Sequence, residues 1–286
     1  MGKQGRTRRR WILWLIAAVI AVTAVICAVI AWRDTMADPV VRRATITLPG
    51  LPPGTPPMRA VLMSDLHVAR PDMPPQRLAR IVTQINALHP DIVLVAGDLI
   101  SDRHPMIWRY SFRDALAPLA GLKSRFGTVA VLGNHDQWRD PSQARAELRR
   151  LGIEVLDNVA TRRGPLVIGG LGDTFTHNNR LRALLKALGP NRSSAIVLSH
   201  SPDPFPRLPR DIPLMLAGHT HCGQIRYPWG GSPQTGSYYG QRYACGRVDE
   251  NGHSLIVTAG LGTSVIPVRF LAKPDVWLVT LVPAVD

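Results

Sequence analysis

Hydrophobic positions along the chain fall into three regimes. From Trp11 to Trp32 the run WILWLIAAVIAVTAVICAVIAW carries no charge over 22 residues. As a helix at roughly 1.5 Å per residue it reaches about 33 Å, enough to cross a hydrocarbon core of about 30 Å. It lacks the polar stripe of a buried core helix and exceeds the apolar length of a cleavable signal, so a membrane anchor over 11–32 is expected. Residues 33–58 follow, centred on Leu48-Pro-Gly-Leu-Pro-Pro-Gly-Thr-Pro-Pro, where prolines and glycines break both helix and ladder. They read as a linker and lead-in with a short strand at 44–48. From Arg59 onward, short apolar runs alternate with amphipathic stretches. The pattern predicts strands at 60–63, 92–96, 129–132, 166–168, 195–198 and 214–217, and helices at 76–88, 111–122, 142–151 and 181–188. The tail from 255 to 281 carries strands without helices, a second sheet or a closing antiparallel layer. The rhythm is α/β, one domain over 59–286.

Composition sharpens this picture at the N-terminus. At 286 residues and 45% hydrophobic content the chain can bury a substantial core, which excludes a disordered tail. Lys3, Arg6, Arg8, Arg9 and Arg10 precede the apolar run, whereas Arg33 after it is offset by Asp34. This asymmetry keeps residues 1–10 as a cytoplasmic flank and puts everything after the span outside the cytoplasm. The stretch Thr7-Arg-Arg-Arg-Trp-Ile resembles a twin-arginine export signal, which gives the same orientation. No A-x-A cleavage site follows, and Ile26 before Cys27 is too large for a lipoprotein cleavage box, so a single-pass membrane protein is expected.

The net charge of +14 shrinks once the anchor is set aside, because residues 1–34 hold six basic residues and one acid, leaving 28 basic against 19 acidic. A basic domain favours anionic partners such as phosphate esters, nucleic acid or lipid headgroups, although a solvated Arg-rich surface gives the same balance. Cys27 lies in the span, so only Cys222 and Cys245 can pair. An oxidising compartment permits a disulfide between them; two small buried thiols, or one lining the pocket, are the alternative.

Candidate chemistry sits where the apolar runs stop. Ala60-Val-Leu-Met leads into Ser64-Asp65-Leu66-His67, Ile92-Val-Leu-Val-Ala into Gly97-Asp98, Val129-Ala-Val-Leu into Gly133-Asn134-His135-Asp136, Ala195-Ile-Val-Leu into Ser199-His200, and Leu214-Met-Leu-Ala into Gly218-His-Thr-His. In α/β sheets ligands bind at the carboxyl ends of strands. In an extended chain, His219 and His221 leave the same face. Singly, Asp98 reads as a helix cap, Asn134 as a turn residue and His200 as a satisfied buried histidine. Together Asp65, Asp98, Asn134, His67, His200, His219 and His221, with His135 beside them, make a mixed oxygen and nitrogen set suited to two divalent ions such as Mn, Fe or Zn. A structural zinc needs only four ligands.

The ordered motifs D-x-H, G-D, G-N-H-D, a lone H and G-H-T-H resemble the calcineurin-like metallophosphoesterases over about residues 59–281. Ile85-Asn-Ala-Leu-His-Pro-Asp-Ile-Val-Leu-Val-Ala-Gly-Asp is similar to a membrane-anchored bacterial phosphohydrolase branch. The resemblance implies a four-layer αββα sandwich with two mixed β-sheets and a two-metal site at the strand ends. Carried over by motif, Asp65, His67 and His221 hold one metal, Asn134, His200 and His219 the other, Asp98 bridges them, and His135 is catalytic. Cys222 departs from the glycine that many relatives carry after GHTH.

The implied activity is phosphoester hydrolysis, as a phosphodiesterase or pyrophosphatase, by a metal-bridged hydroxide. Two divalent ions, less Asp65, Asp98 and a hydroxide, leave the centre positive towards an anionic phosphoester substrate, and the neutral Asn134 helps keep it so. Lipid-linked and nucleotide-sugar phosphoesters are the candidates by analogy. The alternatives are a silent metal-binding scaffold, against which no ligand is replaced, and a nuclease of the same family, which the topology separates from cytoplasmic DNA. Neither HExxH nor HxHxDH occurs, which argues against a zinc peptidase or a metallo-β-lactamase-type hydrolase.

Overall fold

The computed structural model describes residues 3–101 and 110–284; the side chains of residues 3–8, with much of the basic flank, lie outside the described part. Its first element is α1 (Lys3–Met36), a helix that runs unbroken from the basic flank through the apolar segment. Residues 9–36 of it are long and apolar enough to cross a membrane, and their apolar window is not buried within the protein.

The chain then enters β1 (Val40–Thr47) and β2 (Met58–Met63), followed by α2 (Pro75–Asn86), β3 (Ile92–Ala96), α3 (Phe112–Leu116) and β4 (Thr128–Val131). Next come α4 (Asn134–Arg139), α5 (Pro141–Arg150), β5 (Glu154–Val155), β6 (Val159–Arg163), β7 (Leu166–Gly170) and α6 (Leu181–Leu188). The C-terminal third adds β8 (Ala195–Leu198), β9 (Leu214–Ala217), β10 (Gly246–Glu250), β11 (His253–Val257) and β12 (Asp275–Val282).

These strands form two six-stranded sheets, ordered β1-β12-β2-β3-β4-β5 and β10-β11-β9-β8-β7-β6. Both are mixed: β2 to β5 run parallel while β12 is antiparallel to β2, and β7, β8, β9 and β11 run parallel with antiparallel β6 and β10 at the edges. The period of two along each strand sorts side chains between layers. Ile92, Leu94 and Ala96 face the second sheet, meeting Ile196, Leu198, Leu214 and Leu216. Val93 and Val95 face outward under Leu78, Ile81 and Ile85 of α2 and Leu148 of α5. On the far side Val197, Met215 and Val257 pack beneath Leu184 and Leu188 of α6. The result is the four-layer αββα sandwich, in which each fully buried Leu, Ile or Val is worth about 1.5–3 kcal/mol.

Residues 33–58 depart from the linker expected of them. Val40–Thr47 pairs in parallel with the final strand over all eight of its residues. In the proline-rich stretch after it, Leu48 and Leu51 are buried in the core between the sheets. Alternation in VVRRATIT is masked by arginines on a sheet edge, and prolines hide nothing about where the leucines between them go. The same edge effect explains β6 and β10, whose sequences VATRR and GRVDE carry little apolar signal.

Candidate metal centre

Strands β2, β3 and β4 of one sheet and β8 and β9 of the other end along the same rim, so the five polar exits meet. Asp65, His67, Asp98, Asn134, His135, His200 and His221 are all buried, and His219 is half-buried. The backbone turns sharply at the rim. Asp65, His67, Asp98, His219 and His221 have φ of 50°, 41°, 54°, 71° and 51°. This left-handed region costs L-residues roughly 1–2 kcal/mol each, and Asp, Asn and His tolerate it better than most. His219 and His221 are therefore not alternate residues of an extended strand, as their spacing suggested. The chain coils between them through Thr220, and the two imidazoles reach different halves of the site.

One half gathers Asp65, His67 and His221. Nε2 of His67 lies 3.1 Å from Nε2 of His221, which is 3.4 Å from Asp65 Oδ1. The other gathers Asn134, His200 and His219: His200 Nε2 is 3.1 Å from Asn134 Oδ1 and 3.1 Å from His219 Nδ1. Asp98 stands between them, its Oδ2 at 3.5 Å from His67 Nε2 and 3.2 Å from His200 Nε2. Donor atoms bound at about 2.1 Å to one ion lie about 3.0–3.4 Å apart at octahedral or tetrahedral angles. The spacings here are those of edges of a coordination polyhedron, and the donor set fits divalent cations. Two of the His/Asp groups, Asp65 with His67 and His221 and Asp98 with His200 and His219, have ligand atoms within 4.8 Å of one another.

The electrostatics favour ligation. Burial, with His200 next, lowers His219 to about 3, and burial together with His67 and Arg269 lowers His221, so both rings are neutral and offer lone pairs. Burial, reinforced by Asp98, raises Asp65 to about 6. Burial alone would raise Asp98 as well, yet His200 and His135 hold it well below the usual carboxylate range. His200 Nδ1 lies 2.7 Å from the Ala96 carbonyl, which accepts its proton, and although burial opposes it, Asp98 facing Nε2 raises His200 well above the usual histidine range, so a cation at this position would displace that proton.

His135 sits beside both halves, and its ring forms with His67 and Asp98 a third group whose ligand atoms lie within 4.8 Å of one another. Its backbone N–H donates to Asp98 Oδ1 at 2.9 Å, and its ring Nε2 is 4.0 Å from Asp98 Oδ2 and 3.4 Å from the Ser264 hydroxyl. Edge contacts with His67 and Trp138 at 4.8 and 5.1 Å fix the ring plane.

Two supporting residues escaped the sequence reading. Asp136, the last residue of G-N-H-D, turns away from the centre and accepts three backbone N–H groups, from Asp98 at 2.9 Å, Leu99 at 2.9 Å and Gly133 at 3.0 Å. It pins the β3 and β4 exits together; burial and then Asp98 raise it to about 7. A side chain on Gly133 would run into the Asp98 carboxylate, so the motif's glycine keeps that approach open. Arg269, fully buried, donates to the carbonyls of Ala259, Gly260, Gly262 and Ala272 and stands 3.3 Å from His221 Nδ1. Burial lowers it to about 10, still charged at neutral pH. Asp136 had a signal in its motif, whereas Arg269 had none. Cys222 and Cys245 are joined as a disulfide with α-carbons 4.7 Å apart, the first of the two alternatives their positions allowed.

Comparison with known proteins agrees with this geometry. The bovine transmembrane protein with metallophosphoesterase domain is 29% identical over 246 residues, which cover 79% of this chain and 53% of the relative, so the chain spans about half of that protein's length. The uncharacterized metallophosphoesterase YkuE of Bacillus subtilis is 30% identical over 240 residues, 81% of each chain. The phosphodiesterase YaeI of Escherichia coli is 30% identical over 236 residues, 79% of this chain and 83% of YaeI. Residues 58–223, with all eight of the residues gathered at the rim, match the family model described as calcineurin-like phosphoesterase, and it is to this family that the chain belongs.

Proposed function

We propose that the protein is a membrane-anchored, two-metal phosphoesterase that hydrolyses a phosphodiester or pyrophosphate outside the cytoplasm. The observation that carries the reading is Asp98: one carboxylate oxygen faces His67 on one side and His200 on the other, as a residue shared by two ions requires. Asp65, His67 and His221 would hold one ion and Asn134, His200 and His219 the second, with Mn, Fe or Zn suited to the mixed donors. When bound, such a pair supplies Lewis acidity towards phosphoryl oxygens and makes water nucleophilic near neutral pH.

The remaining chemistry belongs to the chain. His135, held by its backbone bond to Asp98 and by Ser264, is placed to give a proton to the leaving oxygen. Asp136 keeps the two strand exits in register, and Arg269 shores up the loop behind His221. Residues 11–32 are read as the span and 1–10 as its cytoplasmic flank, with the globular body beginning at β1.

Metal-free full-length protein in detergent, titrated with Mn, Fe(II) or Zn and assayed on bis(p-nitrophenyl) phosphate, tests this reading. Two equivalents bound and diester turnover are expected. Saturation at one equivalent would refute the shared carboxylate, and full loading without turnover of any phosphodiester or pyrophosphate would make the domain a silent scaffold.

A further inference from the structure

The end of α1 does not dangle into a tether. Asp34 Oδ2 accepts the Leu271 N–H at 2.7 Å, and the Thr35 hydroxyl accepts the Arg269 N–H at 2.7 Å. Beside this junction lies a cleft of about 670 Å³, walled by Ile30, Trp32, Met36 and Leu271 and carrying Arg33 and Lys273. Arg33 and Lys273 are exposed, and neither forms an ion pair among the described residues. Asp34 also lines the cleft, but it is buried and its carboxylate is taken by Leu271. The lining therefore combines apolar side chains continuous with the span and two cations. An indole at the end of a span sits at headgroup depth, which fixes the cleft's level.

We propose that this cleft holds the headgroup of an anionic phospholipid, its phosphate between Arg33 and Lys273 and its acyl chains along Ile30 and Trp32. A free phosphate would match the cations and leave the apolar side chains unused, whereas a zwitterionic lipid brings its own cation to two others. The proposal rests on reading α1 as a membrane span. Its consequence reaches the metal centre, because the loop that bears Leu271 also bears Ser264, against His135, and Arg269, against His221. A lipid seated in the cleft clamps that loop to the membrane.

The test uses full-length protein carrying Trp11→Phe and Trp14→Phe, so that Trp32 is the remaining tryptophan of the span. It is reconstituted in phosphatidylcholine vesicles containing rising fractions of dibrominated phosphatidylglycerol or dibrominated phosphatidylcholine, and tryptophan quenching is read. A cation near an anionic surface is worth about fivefold in affinity, so phosphatidylglycerol should quench at several-fold lower mole fraction. In Arg33→Gln/Lys273→Gln the two lipids should quench alike, with the thermal midpoint in detergent unchanged. Equal quenching in the parent, or a preference that survives the double substitution, overturns the site. If inorganic phosphate erases the preference at matched ionic strength with chloride, the ligand is a free anion and the lipid assignment falls. Quenching by neither lipid would overturn the span itself, a result distinct from all of these.

Discussion

His135 and Asp136 are neighbours in sequence and opposite in task. The histidine faces the centre and is proposed as a proton donor rather than a ligand, so His135→Ala should lower turnover by about 10²–10⁴-fold while metal content measured by mass spectrometry stays near that of the parent. Parallel loss of both would make it a ligand. Asp136 faces away, and Asp136→Asn sets an amide N–H₂ against backbone donors that need an acceptor. Each unmatched buried group costs about 1–3 kcal/mol, so the denaturation midpoint and the bound metal should both fall; a variant equal to the parent in both would end the positioning role. The residues that gather at the rim were legible because Asp, Asn and His are costly inside a strand and stood where apolar runs stopped. What failed was the local geometry. The histidines of Gly218-His-Thr-His reach different halves of the site because each adopts a left-handed backbone, a choice that alternation in a sequence cannot encode. Arg269 was invisible for a related reason: its partners are carbonyls of a loop without periodicity.

At the scale of elements, the interior strands were readable and the edges were not. The strands β3, β8 and β9 are buried on both faces and appear as unbroken apolar runs, whereas β1, β6 and β10 each lie at the edge of a sheet with charged side chains outward. The Cys222–Cys245 bridge is the other element-level constraint, closing a separation of 23 residues directly after His221. A loop of that size is worth on the order of 3 kcal/mol in the unfolded-state model. Cys245→Ser should therefore lower the thermal midpoint by several degrees and raise hydrogen exchange across residues 222–245, with metal retained because neither sulfur is among the donors. Immediate loss of metal on reduction would mean that the ligand set depends on the bridge.

For the molecule as a whole, the anchor and the body are joined by very little chain, since α1 ends at Met36 and β1 begins at Val40. On the proposed reading of α1 as a span, the candidate metal centre is held at a nearly fixed height above the membrane rather than sweeping the space around it. The proposed orientation, read from the basic flank, has a direct test: a phosphatase reporter fused after Asp286 should be active only outside the cytoplasm, and a fusion active only within it would reverse the topology.

The strand order of the first sheet carries one more consequence, for how the protein is made. The last strand lies between the first two, so β1, though synthesised early, gains its partner only when residues 275–282 have emerged. Until then β2 presents an open, apolar edge to whatever shares its compartment. The first sheet is thus completed only by β12, and a chain cut short of residue 275 leaves β1 without its partner and β2 with an open edge.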